Sequence, residues 1–162
     1  MKISLDWLAE YVTWEDAPAD LAARLTQAGL NVEAVEEYRQ EYPGVVVARV
    51  LERRQHPDAD RLSLCVVDDG GDEPVQVVCG ASNVRDGLTV LLARVGAVLP
   101  DGLKLKKSRI RGVESHGMIC SVRELDLGDE HDGIWVLPEN CTPGEPVDTA
   151  LGIQDHVIEI DN

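Results

Sequence analysis

RLSLCVVDDGGDEPVQVVC, residues 61–79, decides the fold. Apolar and polar residues alternate along Arg61–Asp68, with Leu62, Leu64 and Val66 on one face, which is the period of a strand. Asp69-Gly70-Gly71-Asp72 then supplies the residues that a tight hairpin turn needs, and Val75–Cys79 returns as a second strand. Outward from this hairpin lie Gly44–Leu51, a near-continuous apolar run, and two further strand candidates at Leu88–Val95 and Lys104–Val113. Short strands at this spacing, joined by Gly-rich turns, predict a small closed or partly closed barrel. Downstream, Ser121-Val122-Arg123-Glu124 is a capping box that starts a helix of barely two turns ending at Gly128. Ile134–Leu137 reads as another strand, closed by Pro138.

The N-terminal flank has a different period. Ser4–Val12 predicts a short helix capped by Ser4, with Leu5, Leu8, Ala9 and Val12 on one face and Trp7 beside it. A second helix is signalled over Pro18–Ala28, with Leu21, Ala22, Leu25 and Ala28 as its stripe and Gly29 as its stop. Leu30–Val35 returns to alternation. Helices this short need a surface to pack on. The exposed Leu5, Leu8, Leu21 and Leu25 faces are expected to dock against neighbouring domains. The polar Arg39–Gly44 segment, with its Pro-Gly pair, marks a boundary. Val157–Ile160 is a last strand, and the end at Asn162 reads as a cut through a longer protein. The expected organisation is a helical unit over 1–39, completed by a strand at 153–162, and a barrel over 40–152.

Composition narrows the class. The 162 residues are 44% hydrophobic and 28% charged, the range of ordinary globular chains. With aromatics at 4% and no Phe, the core must be built from Val, Leu, Ile and Ala. No run approaches the roughly 20 apolar residues of a membrane span, and the acidic start MKISLDWLAE is unlike a signal peptide, so a cytoplasmic protein without membrane contact is expected. Cys65, Cys79, Cys120 and Cys141 form no C-x-x-C pair and read as reduced, mostly buried thiols.

The net charge of −15 repels nucleic acid on average, so any such contact must come from a local basic patch. Lys104, Lys106, Lys107, Arg109 and Arg111 hold five of the 15 basic residues with no acid among them. Simple alternation splits these charges between two faces. A bulge near Lys107 and Ser108 would gather Lys104, Lys106, Arg109 and Arg111 on one face and leave Leu103, Leu105 and Ile110 towards the core. As a binding surface this strand would be a groove tracking an RNA backbone, with Asn83, Ser115 and Ser121 at its rim. As a structural feature it is a solvated strand balancing an acidic surface, a reading that the lack of interleaved aromatics supports.

Other motifs point to structure. His56 before Pro57-Asp58, and His131 between Glu130 and Asp132, fit no metal-ligand spacing. Gly80, Gly112, Gly117 and Gly133 belong to no phosphate-cradling motif, and turn roles suffice for them. No catalytic residue and no metal site is assigned.

HPDADRL (56–62), VVCGASNV (77–84), IRGVESHGMICSVREL (110–125) and HDGIWVLP (131–138) together resemble the tRNA-binding domain family. The flanks MKISLDWLAEYV, QAGLNVEAVE and GIQDHVIEID are similar to the N-terminal region of bacterial phenylalanine–tRNA ligase beta subunits. The resemblance covers essentially the whole chain. It implies a mainly β chain with short flanking helices (α+β), a five-stranded Greek-key OB-fold barrel plus a partial helical and strand N-terminal unit.

It further implies an alpha-two beta-two holoenzyme that attaches phenylalanine to tRNA-Phe with ATP and Mg2+, with the aminoacylation site in the alpha subunit. This chain would hold no active site and no cofactor, and would contribute weak tRNA binding or subunit assembly. Two other readings stay open. One is a free-standing tRNA-binding protein, and the other is a protein-interaction module without RNA contact.

Overall fold

A computed structural model describes residues 1–161. Along the chain run β1 (Lys2–Ser4), α1 (Leu5–Leu8), α2 (Pro18–Gln27), β2 (Val32–Arg39), β3 (Val45–His56), β4 (Ala59–Asp68), β5 (Val75–Cys79) and β6 (Thr89–Arg94). There follow β7 (Ser108–Ile110), β8 (Val113–Ser115), β9 (Gly117–Ile119), a 3₁₀ turn (Arg123–Leu125), β10 (Val136–Leu137), α3 (Val147–Leu151) and β11 (Gln154–Ile160). Two compact units result, one of Met1–Gln40 with the segment from Gly152 onward, the other of Glu41–Leu151.

In the first unit β11 is the middle strand of an antiparallel sheet ordered β1-β11-β2, with Ile3 opposite Ile158 and Ile158 opposite Val35. Ser4 caps α1 as its hydroxyl accepts from the Trp7 N–H at 3.0 Å, but the helix stops at Leu8 rather than running to Val12. α2 ends as a Schellman motif: Gly29, at φ +101, donates to Thr26 O and Leu30 donates to Leu25 O. The leucines expected to face a neighbour are in fact core. Leu5 and Leu21 are buried with Ile158 and Ile160, and Leu8 and Leu25 pack against them. The surface that these helices need is the chain's own sheet, whose central strand comes from the far end of the sequence.

The second unit is a nearly closed antiparallel OB-fold barrel. Its main path is β10-β6-β3-β4-β5, and β6 shares its outer edge between β10 at Thr89–Val90 and β9 at Leu92–Arg94. β5 meets β8 and the residue that follows it, His116, through three bonds. His116 N–H donates to Gln76 O (2.8 Å), Gln76 Nε2 to Glu114 O (2.8 Å) and Val78 N–H to Ser115 Oγ (3.0 Å).

β4 has the alternation expected of it, but the buried face is Ser63, Cys65 and Val67, while Leu62, Leu64 and Val66 are half-buried. The core collects Ala48, Val50, Cys65, Val67, Val77 and Val90 with their neighbours. Val45 and Val47, on the other face of β3, are buried too, and α3 packs against that strand. Both faces of β3 are therefore covered over residues 45–50, as that apolar run requires.

The capping box forms as expected. Glu124 accepts from both the N–H and the hydroxyl of Ser121, and the Glu124 N–H returns to Ser121 Oγ at 3.4 Å. It starts only a single 3₁₀ turn, which Asp126 ends at φ 55, before Gly128 is reached.

Cys65, Cys79 and Cys120 are buried free thiols and Cys141 is half-buried. Burial pushes the Cys65 and Cys120 thiols up to about 12 and raises Cys79. Because the thiolate is the reactive form, Cys141 is expected to react first with a thiol reagent at pH 8. The other three should follow at least ~100-fold more slowly, on opening of the barrel. A native-state count of four fast thiols would contradict this burial.

Candidate phosphate-contacting surface

Lys104–Val113 is not one bulged strand. Lys104 makes only an isolated bridge to Val98, the chain runs outside the sheet to Lys107, and β7 begins at Ser108. Ile110 then pairs with Val113 across a two-residue turn, with Arg111 at φ 49 and Gly112 at φ +82. Positive φ at both central positions matches the strand twist of a hairpin, and Gly112 takes it without strain. The chain therefore reverses where a continuing strand was expected. Leu103 is 52% exposed rather than facing the core, and Leu105 and Ile110 are half-buried.

All five cations, Lys104, Lys106, Lys107, Arg109 and Arg111, lie exposed along this arm and hairpin. Two are engaged by an acid just past the basic run. Glu114 stands opposite Arg109 in the hairpin register, and its Oε1 lies 3.2 Å from Lys107 Nζ and 3.4 Å from Arg109 Nη2. Its Oε2 lies 3.5 Å from His116 Nε2. The hydrogen bond from Lys107, with the charges of Lys107 and Arg109, holds the Glu114 carboxyl below the usual carboxylate range. No ion pair is found for Lys104, Lys106 or Arg111 among the described residues.

The hairpin is fastened to the barrel by His56, which is buried at the β3–β4 turn. Its Nδ1 accepts from the Asp58 N–H at 3.0 Å, so Nε2 carries the ring hydrogen and donates to Ile110 O at 3.0 Å. Gln55 Nε2 ties the same turn by donating to Ala59 O (2.8 Å) and Asp60 O (3.0 Å). His56 thus links the HPDADRL turn to the residue that precedes Arg111 and Gly112.

A groove of about 670 Å³ runs beside the hairpin, lined among others by Ser82, Lys106, Ser108, Ser115, Ser121 and Asp132. The expected rim residues are committed to the fold. Asn83 clamps Ile134 through both backbone groups at 3.0 Å and lies outside the groove lining. Ser115, which is buried, accepts from Val78 N–H and donates to Gly117 O (3.1 Å), and Ser121 belongs to the capping box. Only Lys106, Ser115 and Ser121 of the eight candidates line the groove. Lys104, Lys107, Arg109 and Arg111 stand outside its lining. Sequence reasoning missed Glu114, whose only signal was its place three residues past the basic run.

Barrel, groove and cationic hairpin define an OB-fold module. A family model described as "Putative tRNA binding domain" matches residues 45–146, and the chain belongs to that family. It is 49% identical over 99% of its length to the phenylalanine–tRNA ligase beta subunit of Methylococcus capsulatus, covering 20% of that protein. It is 51% identical, again over 99% of its length and 20% of the relative, to that of Synechococcus elongatus. The chain thus spans about a fifth of the curated relatives it matches. Among solved structures it is similar to the C-terminal domain of Plasmodium vivax p43, at 26% identity, 63% of this chain, 57% of that chain and a TM-score of 0.46. No helix among the described residues is long and apolar enough to cross a membrane.

Proposed function

We propose that this chain is the N-terminal region of a phenylalanine–tRNA ligase beta subunit, a cytoplasmic part without an active site that gives the enzyme a weak phosphate-contacting surface for tRNA. The observation that carries the reading is the alignment of 99% of the chain with relatives so named. The unpaired Lys104, Lys106 and Arg111 on an exposed arm supply the chemistry for phosphate contact. In this reading the alpha subunit, the rest of the beta subunit and an alpha-two beta-two assembly perform the ATP-dependent attachment of phenylalanine to tRNA-Phe.

In this reading ATP and Mg2+ are held by the rest of the enzyme and not by this groove. Glu124 is spent on Ser121, and no cluster of three or more candidate metal ligands occurs among the described residues. Assembly is favoured as a second contribution because Trp7, Tyr11 and Tyr38 are 56%, 69% and 53% exposed on the first unit of a strongly acidic chain.

A salt series of tRNA binding tests the reading, beside a variant carrying Lys104→Ala, Lys106→Ala, Arg109→Ala and Arg111→Ala. The native chain is expected to bind with Kd of order 10⁻⁴ to 10⁻⁶ M. The variant should bind about tenfold more weakly, with a log–log salt slope shallower by about 2 to 4. An unchanged slope, or no binding of the native chain at low salt, would reduce this region to assembly.

A further inference from the structure

We propose that Glu114 is a built-in stand-in for phosphate, a carboxylate that holds Lys107 and Arg109 in ligand-ready positions and that a nucleic-acid phosphate must displace. The inference rests on the phosphate-contacting reading of the hairpin and names the residue that sets its strength. Three observations carry it. A single oxygen, Oε1, lies within reach of both an ammonium at 3.2 Å and a guanidinium at 3.4 Å, the arrangement in which two cations share one phosphate oxygen. The carboxylate is presented from a fixed backbone, since Glu114 pairs with Arg109 in register and its own carbonyl accepts from Gln76 Nε2 at 2.8 Å. The three groups are solvent-exposed, with side-chain accessibilities of 54%, 68% and 40% for Lys107, Arg109 and Glu114.

Exposed pairs of this kind are weak and screened, so a backbone phosphate, with the same single charge but in a dense array along the strand, can take the carboxylate's place. The cost of displacement falls on affinity. The arm and hairpin meet their ligand with two of their five cations already engaged by one acid, which offsets one of the two charges, while Lys104, Lys106 and Arg111 have no ion pair among the described residues. Glu114 therefore tunes binding downward, and a ligand of low charge density gains too little to open the pair.

The test is anisotropy titration of this 162-residue chain with unfractionated tRNA over a salt series, for the native protein, Glu114→Gln and Glu73→Gln. Glutamine keeps the shape and an acceptor but removes the charge. Glu73, in the exposed β4–β5 turn, is a control of equal charge change. Glu114→Gln is expected to tighten binding about fivefold at low salt, the scale of one exposed ion pair, and to steepen the salt slope by about 1 to 2. Glu73→Gln should change affinity less than about twofold.

In a Lys107→Ala/Arg109→Ala background, adding Glu114→Gln should have little effect, because the cations it releases are gone. Equal gains from Glu73→Gln, or the same gain in that background, would show a general charge effect and overturn the proposal. If Glu114→Gln leaves affinity unchanged while Lys104→Ala/Lys106→Ala/Arg111→Ala weakens it, the proposal falls and the phosphate-contacting reading stands. If neither the native chain nor Glu114→Gln binds at low salt, both fall.

Discussion

Gly70→Val is expected to lower the unfolding free energy of the barrel unit by about 3–5 kcal/mol, combining backbone strain with overpacking. Gly70 sits at φ +79 in the β4–β5 turn, where a β-branched side chain is strongly disfavoured. A Cβ there would lie 2.6 Å from Gly144 Cα and 2.7 Å from Pro143 O, both backbone atoms that cannot swing aside. Relief would have to part the turn from the 143–144 segment.

That movement would also reach Asp69. Arg94 Nε donates to Asp69 Oδ2 at 2.7 Å and its Nη2 to Asp69 O at 2.6 Å, tying the turn to β6. Gly87→Ala is the comparison, because Gly87 has a similar φ of +83 with nothing within 4 Å of its added Cβ. It should cost only about 1 kcal/mol, the strain alone. Denaturant melts followed by circular dichroism measure both, and equal losses at the two glycines would remove the steric part of the argument.

The Asp69–Asp72 turn was legible for the same reason that Gly70 is sensitive. Gly-rich turn chemistry is local, and so is the period of two on either side. What the local pattern could not choose was the face. Both sets of residues on β4 contain apolar side chains, and the barrel buries Cys65 and Val67 because β3, β5 and β6 close over that side. The helix stripe of Leu21 and Leu25 was likewise readable, but its partner strand β11 lies more than 120 residues further along the chain. α3, only five residues long, gave no periodic signal above its surroundings.

The cationic surface was legible in content but not in shape. Five basic residues in eight positions stand out in a chain this acidic, yet the turn at Arg111-Gly112 does not. Asn-Gly or Asp-Gly would have announced it, whereas an arginine with positive φ is tolerated only because the hairpin imposes it. Missing that turn hid Glu114, since only the reversal sets residue 114 opposite residue 109. The polar candidates Asn83, Ser115 and Ser121 were chosen for their chemistry. Buried or partly buried polar groups of this kind must find partners, and here the partners are the barrel's own backbone and the Glu124 side chain.

His56→Ala is expected to cost about 2–3 kcal/mol locally at the β7–β8 hairpin, since it leaves Ile110 O and Asp58 N–H without their ring partners and opens a cavity. The ring is 2% exposed and spans two turns: one nitrogen closes the Pro57–Asp58 loop of its own hairpin and the other reaches Ile110, the last residue of β7. Arg111 follows directly and Arg109 precedes, so loss of the ring frees the segment that carries two of the five cations.

Amide exchange at Val113 and Ser115 should accelerate about 30-fold, the equivalent of roughly 2 kcal/mol of added opening. Exchange within β3 at Val47 and Ala48 should change far less. Weaker tRNA binding, by about fivefold, would accompany it if a placed hairpin is what meets phosphate. His56→Gln can restore a donor towards Ile110 O and should recover part of both effects. Unchanged exchange at β7–β8 would mean that the hairpin is held by its bonds to β5 alone. The HPDADRL stretch would then shape its own turn without setting the cationic one.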